Sequence, residues 1–167
     1  MDNAKYWIEK LKMQAHPEGG YFKESYRSSE MIMAGERFSG KRRVSTAIYY
    51  LLKNKAPSHF HRIKSDEMWH FYDGSVITIY EITQDGRLLS HSLGNPLHHA
   101  AAELQIVIPA GNWFAAEVQA EGEFGLAGCT VAPGFEYEDF ELASRKQLLA
   151  EYPQHAAIIH QFTREKI

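Results

Sequence analysis

Two histidines separated by a single residue, His59-Phe60-His61, are the side chains of this sequence best spaced for chemistry. On a strand, residues i and i+2 project to the same face. Imidazole nitrogens are the commonest protein metal ligands. Glu67, six positions after His61, would complete a 2-His-1-carboxylate set of the kind that holds iron or another divalent ion. Without a metal the same groups suit acid–base catalysis, a histidine acting as base beside a carboxylate that raises its basicity. His59, His61 and Glu67 are therefore the candidate catalytic residues, and on the alternative reading the candidate metal ligands. Glu67 shares strand parity with Trp69 and Phe71, whereas Asp66 shares it with Met68, His70 and Tyr72. Only one of the two acids can face inward on a regular strand, and the residues alone leave both open.

A second candidate group lies near the N-terminus. Strand alternation over Tyr21 to Arg27 puts Phe22, Glu24 and Tyr26 on one face and Lys23, Ser25 and Arg27 on the other. Glu24 is then either a surface acid on an edge strand or a buried carboxylate with a raised pKa. Glu24 and Tyr26, with the ring of Phe114, form the expected ligand-contacting set. Tyr49, Tyr50, Tyr72 and Tyr80 are strand formers first, and His98-His99 falls in a solvated loop. Cys129, the one cysteine, lies in an apolar run and reads as a small buried residue without thiol chemistry.

The elements that must position these groups are mostly strands. Residues 2–14 read as a short amphipathic helix, capped by Asp2 or Asn3, and His16-Pro17-Glu18-Gly19-Gly20 breaks it. Alternating segments then run through 21–27, 46–52, 58–61, 67–72, 76–83, 88–93, 104–108, 113–118 and 124–131. Turn residues separate them, among them Asp73-Gly74, Asp85-Gly86 and Gly94-Asn95-Pro96. About nine short strands at this spacing predict an all-β sandwich or barrel. Residues 29–43 read as a mobile loop with a solvated basic face at Lys41-Arg42-Arg43. After Pro133-Gly134, the apolar positions Phe140, Leu142, Leu148, Leu149 and Tyr152 predict a helix, and Ile158, Ile159 and Phe162 a second.

Composition narrows the function classes. A chain of 167 residues with 44% hydrophobic and 23% charged residues is expected to be a single domain, residues 1–167, with a β core over about 20–132 and a helical tail over about 138–163. A net charge of -3 offers no basic footprint for nucleic acid. The first fifteen residues are charged and amphipathic, unlike a signal peptide, and no apolar run could span a bilayer. With one cysteine and no disulfide framework, the expectation is a cytoplasmic protein with a small-molecule ligand and neither nucleic-acid nor membrane partners.

Nearly the whole chain resembles a known family. His16-Pro-Glu-Gly-Gly-Tyr-Phe-Lys-Glu-Ser-Tyr-Arg27, Ser45-Thr-Ala-Ile-Tyr-Tyr-Leu-Leu52, Ser58-His-Phe-His-Arg62, Asp66-Glu-Met-Trp-His-Phe71, Pro109-Ala-Gly111 and the run from Gly128 to Leu142 are similar to Cupin-5, a family of small cupins largely without an assigned function. The cupin pattern has His-x-His, three or four residues, Glu, six residues and Gly. Here Glu67 is followed by six residues and Gly74, while five residues separate it from His61, one more than the pattern. Phe114 stands where the pattern's fourth metal ligand, a histidine, would be. The resemblance implies a double-stranded β-helix (jelly roll) with short flanking helices, a homodimer, and similarity to the rhamnose-pathway sugar-nucleotide epimerases such as dTDP-4-dehydrorhamnose 3,5-epimerase. Those epimerases use a histidine base held by an aspartate, with a tyrosine acid, a trio that does not align here residue by residue. The expected function is a small-molecule-binding cupin, as a metal-independent sugar or sugar-nucleotide isomerase or epimerase. The alternatives are a metal-dependent dioxygenase or isomerase using His59, His61 and Glu67, and a non-catalytic cupin. No cofactor is assigned, and a divalent transition metal, ranked lower, is expected at substoichiometric amounts.

Overall fold

Strand alternation sets the layers. In β11 (Trp113–Val118), Phe114, Ala116 and Val118 enter one apolar cluster while Trp113 and Ala115 enter another on the opposite side. The same two-sided burial recurs along β5 (Thr46–Lys53) and β12 (Phe124–Ala132), so these strands lie between the interior and covering helices. The computed structural model describes residues 3–119 and 121–165.

Two antiparallel sheets face one another. The first has the order β1 (Gln14–Ala15), β2 (Tyr21–Arg27), β5, β12, β7 (Asp66–Gly74), β10 (Gln105–Ile108). The second has the order β13 (Phe140–Leu142), β6 (Ser58–Ile63), β11, β8 (Ile77–Ile82), β9 (Leu88–Leu93). Tyr50, Leu52, Trp69, Ile77, Ile79, Ile106, Phe114 and Cys129 fill the space between them. Helix α1 (Asn3–Lys10) covers the outer face of the first sheet through Ala4 against Leu51, Phe124 and Leu126. Helices α2 (Arg145–Glu151) and α3 (Ala156–Gln161) cover the second through Leu148, Ile159 and, just past α3, Phe162 against Phe60 and Trp113. This is the expected jelly roll with flanking helices. Asp2, a candidate cap, lies outside the described residues. Among the described residues, no helix is long and apolar enough to cross a membrane.

Two expectations are corrected. Phe140 and Leu142 lie in β13, paired with β6, because a three-residue strand is too short to show its period. Residues 29–43 are not simply a loop: β3 (Met31–Met33) and β4 (Lys41–Arg43) pair as a hairpin. Nor is Arg42 solvated. Its guanidinium forms a two-bond fork on Asp139, Nε to Oδ2 at 2.7 Å and Nη2 to Oδ1 at 2.9 Å, with both side chains nearly inaccessible. Removing one partner of such a pair strands a carboxylate. The pair lies just under the surface beside Glu138, whose side chain is 57% exposed. Arg42→Ala is therefore expected to cost about 2–3 kcal/mol, somewhat less than a deep pair. A denaturant melt showing under about 1 kcal/mol, the range of surface pairs, would contradict that burial.

Candidate functional site

His61 lies inside the barrel and His59 outside, because β6 does not keep a regular pleat. In its pairing with β11, Phe114 opposes His61 and Ala116 opposes Ser58, so His59 and Phe60 together face Ala115. Two residues against one is a β-bulge, and a bulge re-aims the side chains on either side of it. The His-x-His pair consequently does not share a face. His59 lines a surface groove with Leu149 and Arg164.

Backbone groups of the bulged segment tie in distant parts of the chain. Phe60 N–H donates to the carbonyl of Phe162 at 2.8 Å, and Ala143 N–H donates to Phe60's own carbonyl at 2.8 Å. His59 donates to the Glu18 carbonyl twice, from its backbone N–H at 2.7 Å and its Nδ1 at 2.8 Å. The His59 carbonyl in turn accepts from His61 Nδ1 at 2.8 Å, and His61 Nε2 lies 2.8 Å from Glu18 Oε2. The result is a closed loop of contacts among His59, His61 and Glu18. Glu18 reaches the barrel because Gly19, at φ +115°, lies against Pro57 so closely that a Cβ would stand 2.2 Å from its carbonyl oxygen. Tyr50 Oη secures this turn by donating to the Gly19 carbonyl at 2.6 Å.

Charge follows from this geometry. Burial opposes a charge on His61, but the Glu18 carboxylate outweighs it and raises the imidazole pKa. Burial likewise pushes Glu18 up, and His61 outweighs it to give a net lowering. Both shifts favour the imidazolium–carboxylate form of the pair. His16, with Nδ1 at 3.5 Å from Glu18 Oε2, goes the other way, since burial lowers its pKa more than Glu18 raises it. Glu67 faces inward beside them, while Asp66 is exposed and caps the Ala110 N–H at 2.8 Å. Burial, reinforced by the Glu18 charge and opposed by His61, lifts the Glu67 carboxyl to about 7. The same burial holds the neighbouring Cys129 thiol well above its ordinary value, consistent with an unreactive cysteine.

A cavity of about 90 Å³ opens onto these groups, lined also by Phe22, Glu24, Arg27, Phe135, Glu136, Tyr137 and Phe140. Glu24 lies at its rim as a half-exposed acid, held by Arg27 at 3.0 and 2.9 Å. Tyr26 does not line it. Glu24 opposes Ile48 and Tyr26 opposes Ala47, so Ser25 is an extra residue that turns Tyr26 outward, 54% exposed, and Arg27 inward. Phe114 is not a wall of the cavity either. Its buried ring packs 4.1 Å from the His61 ring, fixing the imidazole from behind. Of the expected residues, His61, Glu67 and Glu24 come together, and His59, Tyr26 and Phe114 act around them or apart. His16, Glu18, Arg27 and the 135–140 segment escape sequence reasoning. The one visible signal was a carboxylate before two glycines at 18–20, a pattern that permits close backbone approach.

The alternative metal set, His59, His61 and Glu67, does not fit. His59 is on the wrong face, both His61 nitrogens are engaged by oxygen acceptors, and Phe114 offers no donor. Among the described residues, no group of three or more His, Cys, Asp or Glu side chains is arranged to hold a metal ion.

A two-sheet jelly roll with polar groups converging inside one end of the barrel defines a cupin. The chain belongs to the Cupin_5 family (Cupin superfamily, DUF985), whose pattern it matches over residues 5–143. It is similar to an uncharacterized protein of Saccharomyces cerevisiae, YML079W, at 31% identity over 147 residues, covering 79% of this chain and 71% of that one. Among solved structures, a hypothetical protein from Leishmania major superposes with a TM-score of 0.90 at 34% identity, covering 97% of this chain and 99% of that chain. Protein SO0799 from Shewanella oneidensis gives 0.88 at 40% identity, covering 99% of this chain and 100% of that one. Oxalate decarboxylase from Bacillus subtilis shares the fold alone, with a TM-score of 0.58 at 13% identity over 95% of this chain and 38% of its own.

Proposed function

We propose that this cupin binds a small molecule in its barrel cavity and moves protons on it without a metal. The observation that carries this reading is Glu67, buried against the cavity and half-protonated near neutral pH, beside a carboxylate that His61 keeps ionised. A general acid and a general base with well-separated pKa values in one pocket is the arrangement proton-transfer enzymes use. His61 has no free nitrogen for a ligand, so its role is to hold Glu18 as the base. Glu18 would take a proton from a carbon next to a carbonyl, and Glu67 would return one, leaving composition unchanged as isomerisation or epimerisation requires. This resembles the histidine–carboxylate arrangement of the epimerases with the roles exchanged. A sugar nucleotide suits the cavity poorly, since drug-sized ligands occupy pockets of roughly 300–1,000 Å³.

Carboxyl carbon NMR of metal-free protein is expected to show Glu67 titrating near 7. A midpoint below about 5, the range of an ordinary glutamate, would remove the acid and the proposal with it. Elemental analysis of protein purified without chelator is expected to give well under one equivalent of transition metal. A full equivalent that disappears on His61→Ala would restore the metalloenzyme reading.

A homodimer and a cytoplasmic location belong to the same proposal. Among the described residues, β1 covers only Tyr21 and Phe22 of β2, which leaves the outer edge of Lys23–Arg27 available to a neighbour's sheet. The β3–β4 hairpin exposes Met31, Ile32 and Met33, and the one cysteine is a buried free thiol. Light scattering is expected to give twice the 19.1 kDa chain mass, and the single-chain value at micromolar concentration would exclude the dimer.

A further inference from the structure

The charges around the cavity do not balance. Even with Glu67 half-protonated, the acids Glu18, Glu24 and Glu136 outnumber the two cations Arg27 and His61, and burial disfavours a charge on His16. Neither cation is free. His61 is held by Glu18, and Arg27 is divided among Glu24 (3.0 and 2.9 Å), Glu136 (2.7 Å) and the Phe135 carbonyl (3.3 Å). An anionic ligand would have to displace a carboxylate before meeting a positive group. Glu67, nine-tenths buried, has only the Cys129 thiol as a side-chain hydrogen-bond partner among the described residues.

Much of the remaining wall is aromatic. Phe135, Tyr137 and Phe140 meet almost at right angles: 80° at 5.1 Å, 70° at 6.4 Å and 76° at 6.4 Å for the three ring pairs. Phe22 and His16 continue the wall. Ring faces carry partial negative charge and attract cations, most strongly where water is excluded. The volume admits roughly six waters, or an organic molecule of similar bulk.

We propose that the cavity takes a small organic cation, a primary or methylated ammonium compound, its charge toward Glu67 and Glu18 and its carbon atoms against Phe135, Tyr137 and Phe140. This names the ligand class for the acid–base site above and rests on the same cavity.

The test uses three probes of similar size, ethylammonium, ethanol and acetate, titrated into the full chain by calorimetry and proton NMR. Ethylammonium is expected to bind saturably, its methyl protons moved upfield by the rings. Glu67→Gln and Phe135→Ala are each expected to weaken it by about tenfold, the worth of one desolvated cation contact. Acetate or ethanol binding as tightly as ethylammonium, or none of the three binding, overturns the proposal. The Glu67 titration in the same samples separates the two readings. A midpoint near 7 with no ammonium binding sinks the cation alone, and ammonium binding with an ordinary Glu67 sinks the acid–base reading alone.

Discussion

Glu18→Ala is expected to lower stability by about 3–5 kcal/mol, since it leaves a buried imidazolium without its counter-ion. For a chain of this size that corresponds to a melting temperature lower by on the order of 10 °C. The wild-type pair has a pH window set by its two displaced groups. Glu18's pKa is lowered on folding, so its contribution is present above the ordinary 4.5 and lost as pH falls through the lowered value. His61's is raised, so its contribution is present below the ordinary 6.5 and lost as pH rises through the raised value. Stabilisation by the pair is thus complete between pH 4.5 and 6.5, declines between each ordinary value and its displaced one, and is gone beyond the displaced values. Glu18→Gln supplies the discriminating control. A glutamine can donate to Nε2 of a neutral ring, so His61 should lose its charge at neutral pH and the protein should keep most of its fold. Nitrogen-15 shifts of the ring report this directly. An imidazolium that persists at pH 7 in Glu18→Gln would mean that another group holds its charge.

Glu67→Gln is expected to stabilise the protein increasingly as pH rises. Glu67's folded pKa, about 7, lies above the ordinary 4.5, so the folded state holds a proton that the unfolded state has released between those values. Stability therefore falls across that window, by about 3 kcal/mol for a group this deeply buried. Glutamine removes the titration without changing the shape. Relative to wild type, the variant should gain on the order of 10 °C between pH 5 and pH 8. Glu18, His61 and Cys129 face Glu67, and comparing the two proteins at each pH cancels much of their own titration. A constant difference across the range would show that Glu67 is an ordinary carboxylate.

Much of this architecture can be read along the chain, and the reason is local. β2 runs from Tyr21 to Arg27 as its alternation predicts, and the turns at Gly74 and Gly86 fall where glycine was needed, both at positive φ. Elements of three residues, β3, β4 and β13, carry too little period to be recognised. Half of the site is legible for the same reason, and bulges hide the rest. His61 and Glu24 hold their expected places, whereas one additional residue in β6 and one in β2 send His59 and Tyr26 elsewhere. Alternation cannot register an irregularity that the partner strand imposes. Glu18 carries only the faint signal of the two glycines after it, for a different reason: its partner is His61, far along the chain, and only the folded barrel brings them together.

The bulge in β6 also fixes when the site can exist. Phe60 is bonded to residues 143 and 162, and its neighbour His59 to residue 18. During synthesis the barrel strands are complete once β13 has left the ribosome, but the Phe60 amide must then wait for Phe162. A chain cut after Gln161 would keep every residue of the cavity and lose the carbonyl that receives Phe60's amide. The irregular strand beneath the site is thus finished only when three segments far apart in sequence, around residues 18, 143 and 162, have met on it.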